Sequence, residues 1–281
     1  MDFIDFARSH GIIINDLPPI GQWKRYPTED HPRKKNGACK YMGTHGFVQN
    51  HATSTVVSLW KPDSEAQPMD MRAIIIGQAK AEQERRKAQS EAVNKAVKML
   101  NASGYSTHPY LKLKGFEDEQ GSVLKVGNDD ILLIPMRVGK SLVGVQQIWP
   151  DGAKKFLFGQ RTSGATFTFD NKGINIVCEG YATALSIRAA MKQLKRRYTI
   201  HVCFSAANMI RVAAELEPGL TIVDNDISGT GQAAAAEIGW PIWISDQQGE
   251  DANDYHRRLG LFSLSQSLTH SMLGIGVLGH G

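Results

Sequence analysis

Two apolar runs that each end in a carboxylate restrict this chain more than any other feature. One reads Ile174-Asn-Ile-Val-Cys-Glu179-Gly180, the other Leu220-Thr-Ile-Val-Asp224-Asn-Asp226-Ile-Ser-Gly229. Short apolar runs of this kind read as buried strands of a parallel sheet. Helix-forming sequence follows each run, and that alternation is the pattern of βαβ units. In open α/β sheets, ligands bind beyond the carboxyl ends of the strands. Glu179, Asp224 and Asp226 are therefore expected at one sheet edge, converging on a hard divalent cation. Mg²⁺ takes oxygen ligands, usually one or two carboxylates together with phosphate oxygens.

The Glu-Gly after one strand and the Asp-x-Asp after a later one resemble the Toprim fold of bacterial-type primases, topoisomerases and some nucleases. Cys178-Glu-Gly-Tyr-Ala-Thr-Ala-Leu-Ser186 is especially similar to the Toprim primases of plasmids and phages. Ile134-Pro-Met-Arg137, Leu142-Val-Gly-Val-Gln146 and Lys154-Lys-Phe-Leu-Phe158 resemble the segment that precedes Toprim in those primases. Gly249-Glu-Asp251-Ala-Asn-Asp254 resembles their last acidic motif, with Ala252-Asn253 in place of the usual proline. The resemblance runs from Tyr105 to Gly260, and more weakly through Gly37 to Trp60.

That resemblance implies an α/β protein: a C-terminal Toprim-like parallel-sheet domain, preceded by a mixed α+β primase-type subdomain and a small β-rich N-terminal module. The divisions fall at 1–68 (β-rich basic module), 69–104 (connecting helix), 105–170 (α+β subdomain), 171–262 (Toprim-like catalytic domain) and 263–281 (tail). It implies a DNA primase, a nucleotidyltransferase using Mg²⁺ or Mn²⁺, with single-stranded DNA as template and nucleoside triphosphates as substrates. Glu179, Asp224 and Asp226 are its expected catalytic residues. The same three, with Asp251 and Asp254, are the candidate metal ligands, Asp251 being preferred of the last two. A Toprim-type nuclease would use the same carboxylates, and a non-catalytic replication accessory protein that binds single strands is the alternative of another class.

Composition bounds these readings. The 281 residues are 42% hydrophobic and 21% charged, an ordinary globular balance. A net charge of +4 permits nucleic-acid binding without requiring it. Cys39, Cys178 and Cys203 make a disulfide framework improbable and suit a reducing cytoplasm. The start lacks the basic region of a signal peptide, and no apolar run approaches the roughly 18 residues that span a bilayer. A membrane partner is not expected. No phosphate-binding Gly-x-x-x-x-Gly-Lys-Ser/Thr occurs, so any helicase comes from a separate chain.

Read in order, residues 2–10 form a short helix with Phe3, Ile4 and Phe6 inward. Residues 20–62 read as a β-rich module in which Trp23, Tyr26, Tyr41, Phe47 and Trp60 are scattered among cations. Aromatics among basic residues suit single-stranded nucleic acid, through stacking and phosphate neutralisation. Lys24, Arg25, Lys34 and Lys35 are the expected contacts there, and Lys154, Lys155 and Arg161 downstream. A small sheet with a solvated basic face explains the first group equally well. The spacing of His31, Cys39, His45 and His51 matches no zinc pattern, and no zinc is expected. Residues 78–100 read as a long solvated helix. Gly180 permits a sharp turn after Glu179. Gly180, Ser228 and Gly229 are candidate phosphate or nucleotide contacts, the last two because they open a helix whose N–H groups face a ligand.

Overall fold

The computed structural model describes residues 1–54, 56–62 and 71–273, without the side chains of 71–75 and 78. The boundary placed at 68 and 69, and the end of the tail from 274 onward, lie outside the described residues. Residues 1–87 form one unit and 88–281 another. The chain is a mixed α/β protein with an N-terminal antiparallel sheet, a central antiparallel sheet and a C-terminal, mostly parallel sheet flanked by helices.

In the first unit, helix α1 (Phe3–Ser9) is capped by Asp2, whose Oδ1 accepts the Asp5 N–H at 2.8 Å. Strands β1 (Trp23–Tyr26), β2 (Gly37–Tyr41), β3 (Gly46–Asn50) and β4 (Ser58–Trp60) form an antiparallel sheet in sequence order. Tyr26, Cys39, Val48 and Trp60 bury one face against Phe3 and Ala7 of α1 and against Ile12 and Ile14. Phe3 therefore points inward as expected, while Ile4 and Phe6 are only partly covered.

Helix α2 (Met71–Asn101) contributes to both units. In the second, its Ala92 and Ala96 pack on Val145 and Leu157. There β5 (Gly104–Ser106), helix α3 (Pro109–Leu113), β6 (Gly121–Val126), β7 (Asp129–Val138), β8 (Ser141–Ile148) and β9 (Lys154–Phe156) follow, the strands forming one antiparallel sheet in sequence order. His108 starts α3: its Nδ1 accepts the Tyr110 N–H at 3.1 Å.

The C-terminal sheet comprises β10 (Phe167–Asp170), β11 (Ile174–Cys178), β12 (Tyr198–Val202), β13 (Leu220–Val223) and β14 (Ile242–Ile244), in the order β10-β12-β11-β13-β14. Helices α4 (Tyr181–Gln193), α5 (Ala206–Ala213), α6 (Thr230–Ile238) and α7 (Ala252–Met272) connect and cover it. Ile176, Cys178, Ile200 and Val202 face the core shared with α4 and α7, whereas Val177 and Cys203 face Met209 and Val212 of α5. Cys178, at the end of β11, and Cys203, just past the end of the adjacent β12, thus belong to separate clusters.

Two expectations change. The sheet is not wholly parallel, because β10 pairs antiparallel with β12, so this sheet begins before residue 171. The tail expected from 263 instead continues α7 to Met272, with Leu264, Leu268 and Met272 in the core. Gly260, at φ 83°, breaks the helical geometry and resembles a terminus, but the apolar i, i+4 stripe resumes beyond it. Among the described residues no helix is long and apolar enough to cross a membrane.

Candidate functional site

Strands β11 and β13 are parallel neighbours, with Val177 opposite Thr221. Glu179 and Asp224 follow their last residues and so leave the sheet at the same end. The residue between the two aspartates then fixes the third element. Asn225 accepts the Gly249 N–H at 2.6 Å and donates its own N–H to Glu250 O at 3.0 Å. Its side-chain amide donates to Ser245 O at 3.0 Å. These bonds hold the loop before α7 against the β13 turn and bring Asp251, the N-cap of α7, toward Asp224.

The electrostatics follow from that crowding. Asp224 is half-buried, and its Oδ1 is enclosed without a hydrogen-bond partner. Burial, then the charges of Asp251 and Glu179, push its pKa up to about 7; Lys154 opposes them. Burial, then Asp226, raises Glu179, against a backbone N–H bond from Ala206. The Glu179 carbonyl meanwhile accepts the Phe204 N–H at 3.0 Å, with Phe204 in the left-handed region at φ 67°.

Asp226 is exposed, and its Oδ1 accepts from Ser228 Oγ at 2.9 Å and the Gly229 N–H at 3.0 Å. Gly229 sits at φ +68°, a conformation only glycine enters readily. At the helix start expected to meet a phosphate, Ser228 Oγ also accepts the Thr230 N–H at 3.3 Å, while no side chain caps α6. Gly180 does not use its freedom either: it caps α4 in an extended conformation, φ −103°.

The acidic motif before α7 divides by role. Glu250 is held by Arg258 Nε at 2.6 Å and Ser245 Oγ at 2.7 Å. Asp251 Oδ1 accepts the Asp254 N–H at 2.8 Å, while Asp254 faces Lys114 Nζ at 3.9 Å. Asp251, not Asp254, is among the charges acting on Asp224.

Lys154, expected on the nucleic-acid surface, instead turns its ammonium toward this edge. The residue is exposed overall, yet its pKa is lowered by desolvation and Lys114, against Asp251 and Asp224. It also stands 5.8 Å from the Tyr110 ring centre. Tyr110 is buried with an unpartnered hydroxyl, and burial, then Asp251, raises its pKa. Lys155 stands 4.9 Å over Trp149, and exposed Arg161 donates to Ser163 O at 2.9 Å. Lys24, Arg25, Lys34 and Lys35 are exposed in the first unit.

The sequence reading passed over Asn225 and the orientation of Lys154. Asn225 was visible as the middle of Asp-x-Asp, but its partners are distant in sequence. Lys154 turned on strand register, which the sequence leaves open.

The donor chemistry suits a hard cation: every candidate ligand is a carboxylate oxygen, and Asp224 Oδ1 is an enclosed acceptor without a donor. Among the described residues, no three His, Cys, Asp or Glu side chains stand close enough together to hold an ion by themselves. A Mg²⁺ ion at this edge would need waters or phosphate oxygens beside one or two of these carboxylates. No protein-family model matches the chain, and no curated protein matches it.

Proposed function

We propose that this chain is a Toprim-type DNA primase that makes short primers on single-stranded DNA. One observation carries the reading: the enclosed, unpartnered oxygen of Asp224 stands where β13 ends, beside the Glu179 end of β11, with Asp251 and Lys154 acting on it. Helices on both faces, parallel β11 to β14, and acids at two neighbouring strand ends support the Toprim assignment. A cytoplasmic location belongs to the same reading.

In the proposed reaction a primer 3′-hydroxyl attacks the α-phosphorus of a nucleoside triphosphate, a new P–O bond forms, and pyrophosphate leaves. One or two of Asp224, Asp226, Glu179 and Asp251 would hold Mg²⁺ or Mn²⁺, with phosphate oxygens or waters completing its shell. When bound, that ion offsets charge on the phosphoryl oxygens and lowers the pKa of the attacking hydroxyl. Lys154 supplies a fixed positive charge at the same edge, suited to a polyphosphate. Glu179, its pKa raised by burial and Asp226, is the proposed acceptor of the hydroxyl proton. Asp226 also shapes the turn through Ser228 and Gly229.

The test is incubation with single-stranded DNA, Mg²⁺ or Mn²⁺ and labelled nucleotides, scoring extension and degradation together. Wild type should extend, while Asp224→Asn and Asp226→Asn should not, with DNA affinity retained. Full synthesis by both variants would remove the catalytic assignment. Metal-dependent degradation without primers under any nucleotide mixture would move the chain to the nuclease reading.

A further inference from the structure

The N-terminal sheet sorts its aromatic residues by register. Trp23 pairs with Lys40, Lys40 with Phe47, and Phe47 with Leu59, a row that crosses all four strands. Directly paired residues point to the same face of a sheet. The neighbouring row contains Cys39 and Val48, both fully buried against α1, so the Trp23 row faces the other way. Trp23 is 50% exposed and Leu59 49%. The Trp23 and Phe47 rings lie 6.3 Å apart at 40°, too open to enclose each other. Arg25, two residues on from Trp23, shares this face. Beside Phe47, a hollow of about 500 Å³ is lined by His45, Leu59 and Lys61 among others.

The charge on this sheet is one-sided. Its four strands carry Lys24, Arg25 and Lys40 and no Asp or Glu. Contiguous exposed apolar surface rimmed by polar groups marks an interaction site, and here Trp23, Phe47 and Leu59 share one row of a cationic sheet. The structure assigns this open face to single-stranded nucleic acid: Trp23 and Phe47 stack on unpaired bases, and Arg25, Lys40 and Lys61 neutralise the phosphates between them. An apolar protein segment would use Leu59 and Phe47 but gain nothing from the unopposed cations, whereas a single strand uses both. The assignment deepens the template binding of the proposed function but does not depend on catalysis. It also replaces Lys24 as a contact, because Lys24 lies in the Cys39 row at the sheet edge, 5.4 Å from the Tyr26 ring.

The experiment is fluorescence anisotropy of the full chain with labelled oligo(dT), for wild type, Trp23→Ala, Trp23→Phe, Phe47→Ala and Arg25→Gln, with thermal melts as a folding check. Each alanine variant should lose affinity by roughly 5- to 100-fold, since a stacked base is worth that much. Trp23→Phe should keep most of it, and the salt dependence should flatten in Arg25→Gln but not in Trp23→Ala. Alanine variants that melt and bind as wild type does would overturn the assignment, as would a wild type that binds no oligo(dT) at low salt. Should an alanine variant fail to fold, the Trp23→Phe and Arg25→Gln pair decides through affinity and salt slope. Loss of affinity in Trp23→Ala without any nucleotide incorporation by wild type would sink the primase reading and leave this one standing. Incorporation with unchanged affinity in the alanine variants would do the reverse.

Discussion

The N-terminal sheet and the C-terminal sheet edge carry charge in opposite ways. On the first, Lys24 and Arg25 project from strands into solvent, with Lys34 and Lys35 exposed nearby. At the second, Asp224 is half-buried among Asp251, Glu179 and Lys154, and its pKa reaches about 7. Exposed charges act through a screened, long-range field, so they answer to salt. Buried charges act on one another at short range, so they answer to pH and to a bound counter-ion. The proposed primase would need the first behaviour for its template surface and the second for its phosphoryl-transfer site.

The largest effect that would break this contrast is catalytic. Asp224→Asn is expected to lower nucleotide incorporation by more than about 100-fold, since even partners of metal ligands cost 10- to 100-fold. Replacing Arg25, Lys34 and Lys35 together by Gln should leave the rate at saturating DNA near that of wild type. Equal losses at saturation in both variants would erase the division of labour.

The next effect is on stability. Asp224 has a folded pKa raised above its unfolded value of about 3.9, so in that range the folded state binds more protons. Metal-free wild type should therefore lose stability as pH rises from about 4 through about 7, then level off. Asp224→Asn removes the cost of the buried charge and should be more stable than wild type at pH 8, by on the order of 2 kcal/mol. Thermal melts in chelator across pH 4–8 check this, and parallel curves for the two proteins would contradict it.

A smaller effect belongs to the basic sheet. The triple Gln variant should reduce the slope of log affinity for single-stranded DNA against log salt by about 2, given roughly 0.7 per phosphate contact. That slope should hardly change between pH 6 and 8, in contrast to the acidic edge. The smallest is local: Gly229→Ala meets open space but must adopt φ +68°, and should cost about 1 kcal/mol by thermal melts.

What the sequence made legible follows from periodicity. The end of β11 and all of β13 are buried on both faces and read as continuous apolar runs, so the strand ends that Glu179 and Asp224 follow are legible in the sequence. Features that depend on pairing partners were hidden. The antiparallel direction of β10 depends on β12, more than 25 residues away. Lys24 and Arg25 look alike in sequence, yet one-residue alternation puts them on opposite faces, and only register decides which face is open. Tyr26, Tyr41 and Trp60, read as stacking candidates with Trp23 and Phe47, pack with the core for that reason. The extension of α7 was masked by Gly260, a helix-ending residue that here only interrupts.

The most direct test of the acidic edge is calorimetric titration of Mn²⁺ into wild type and Asp224→Asn at pH 6, 7 and 8, without nucleotide or DNA. The structure leads us to expect weak binding at pH 6 that strengthens through pH 7 as Asp224 ionises, releases protons on the way, and is lost in Asp224→Asn. Binding of equal strength at all three pH values, or an unchanged isotherm in Asp224→Asn, would contradict it.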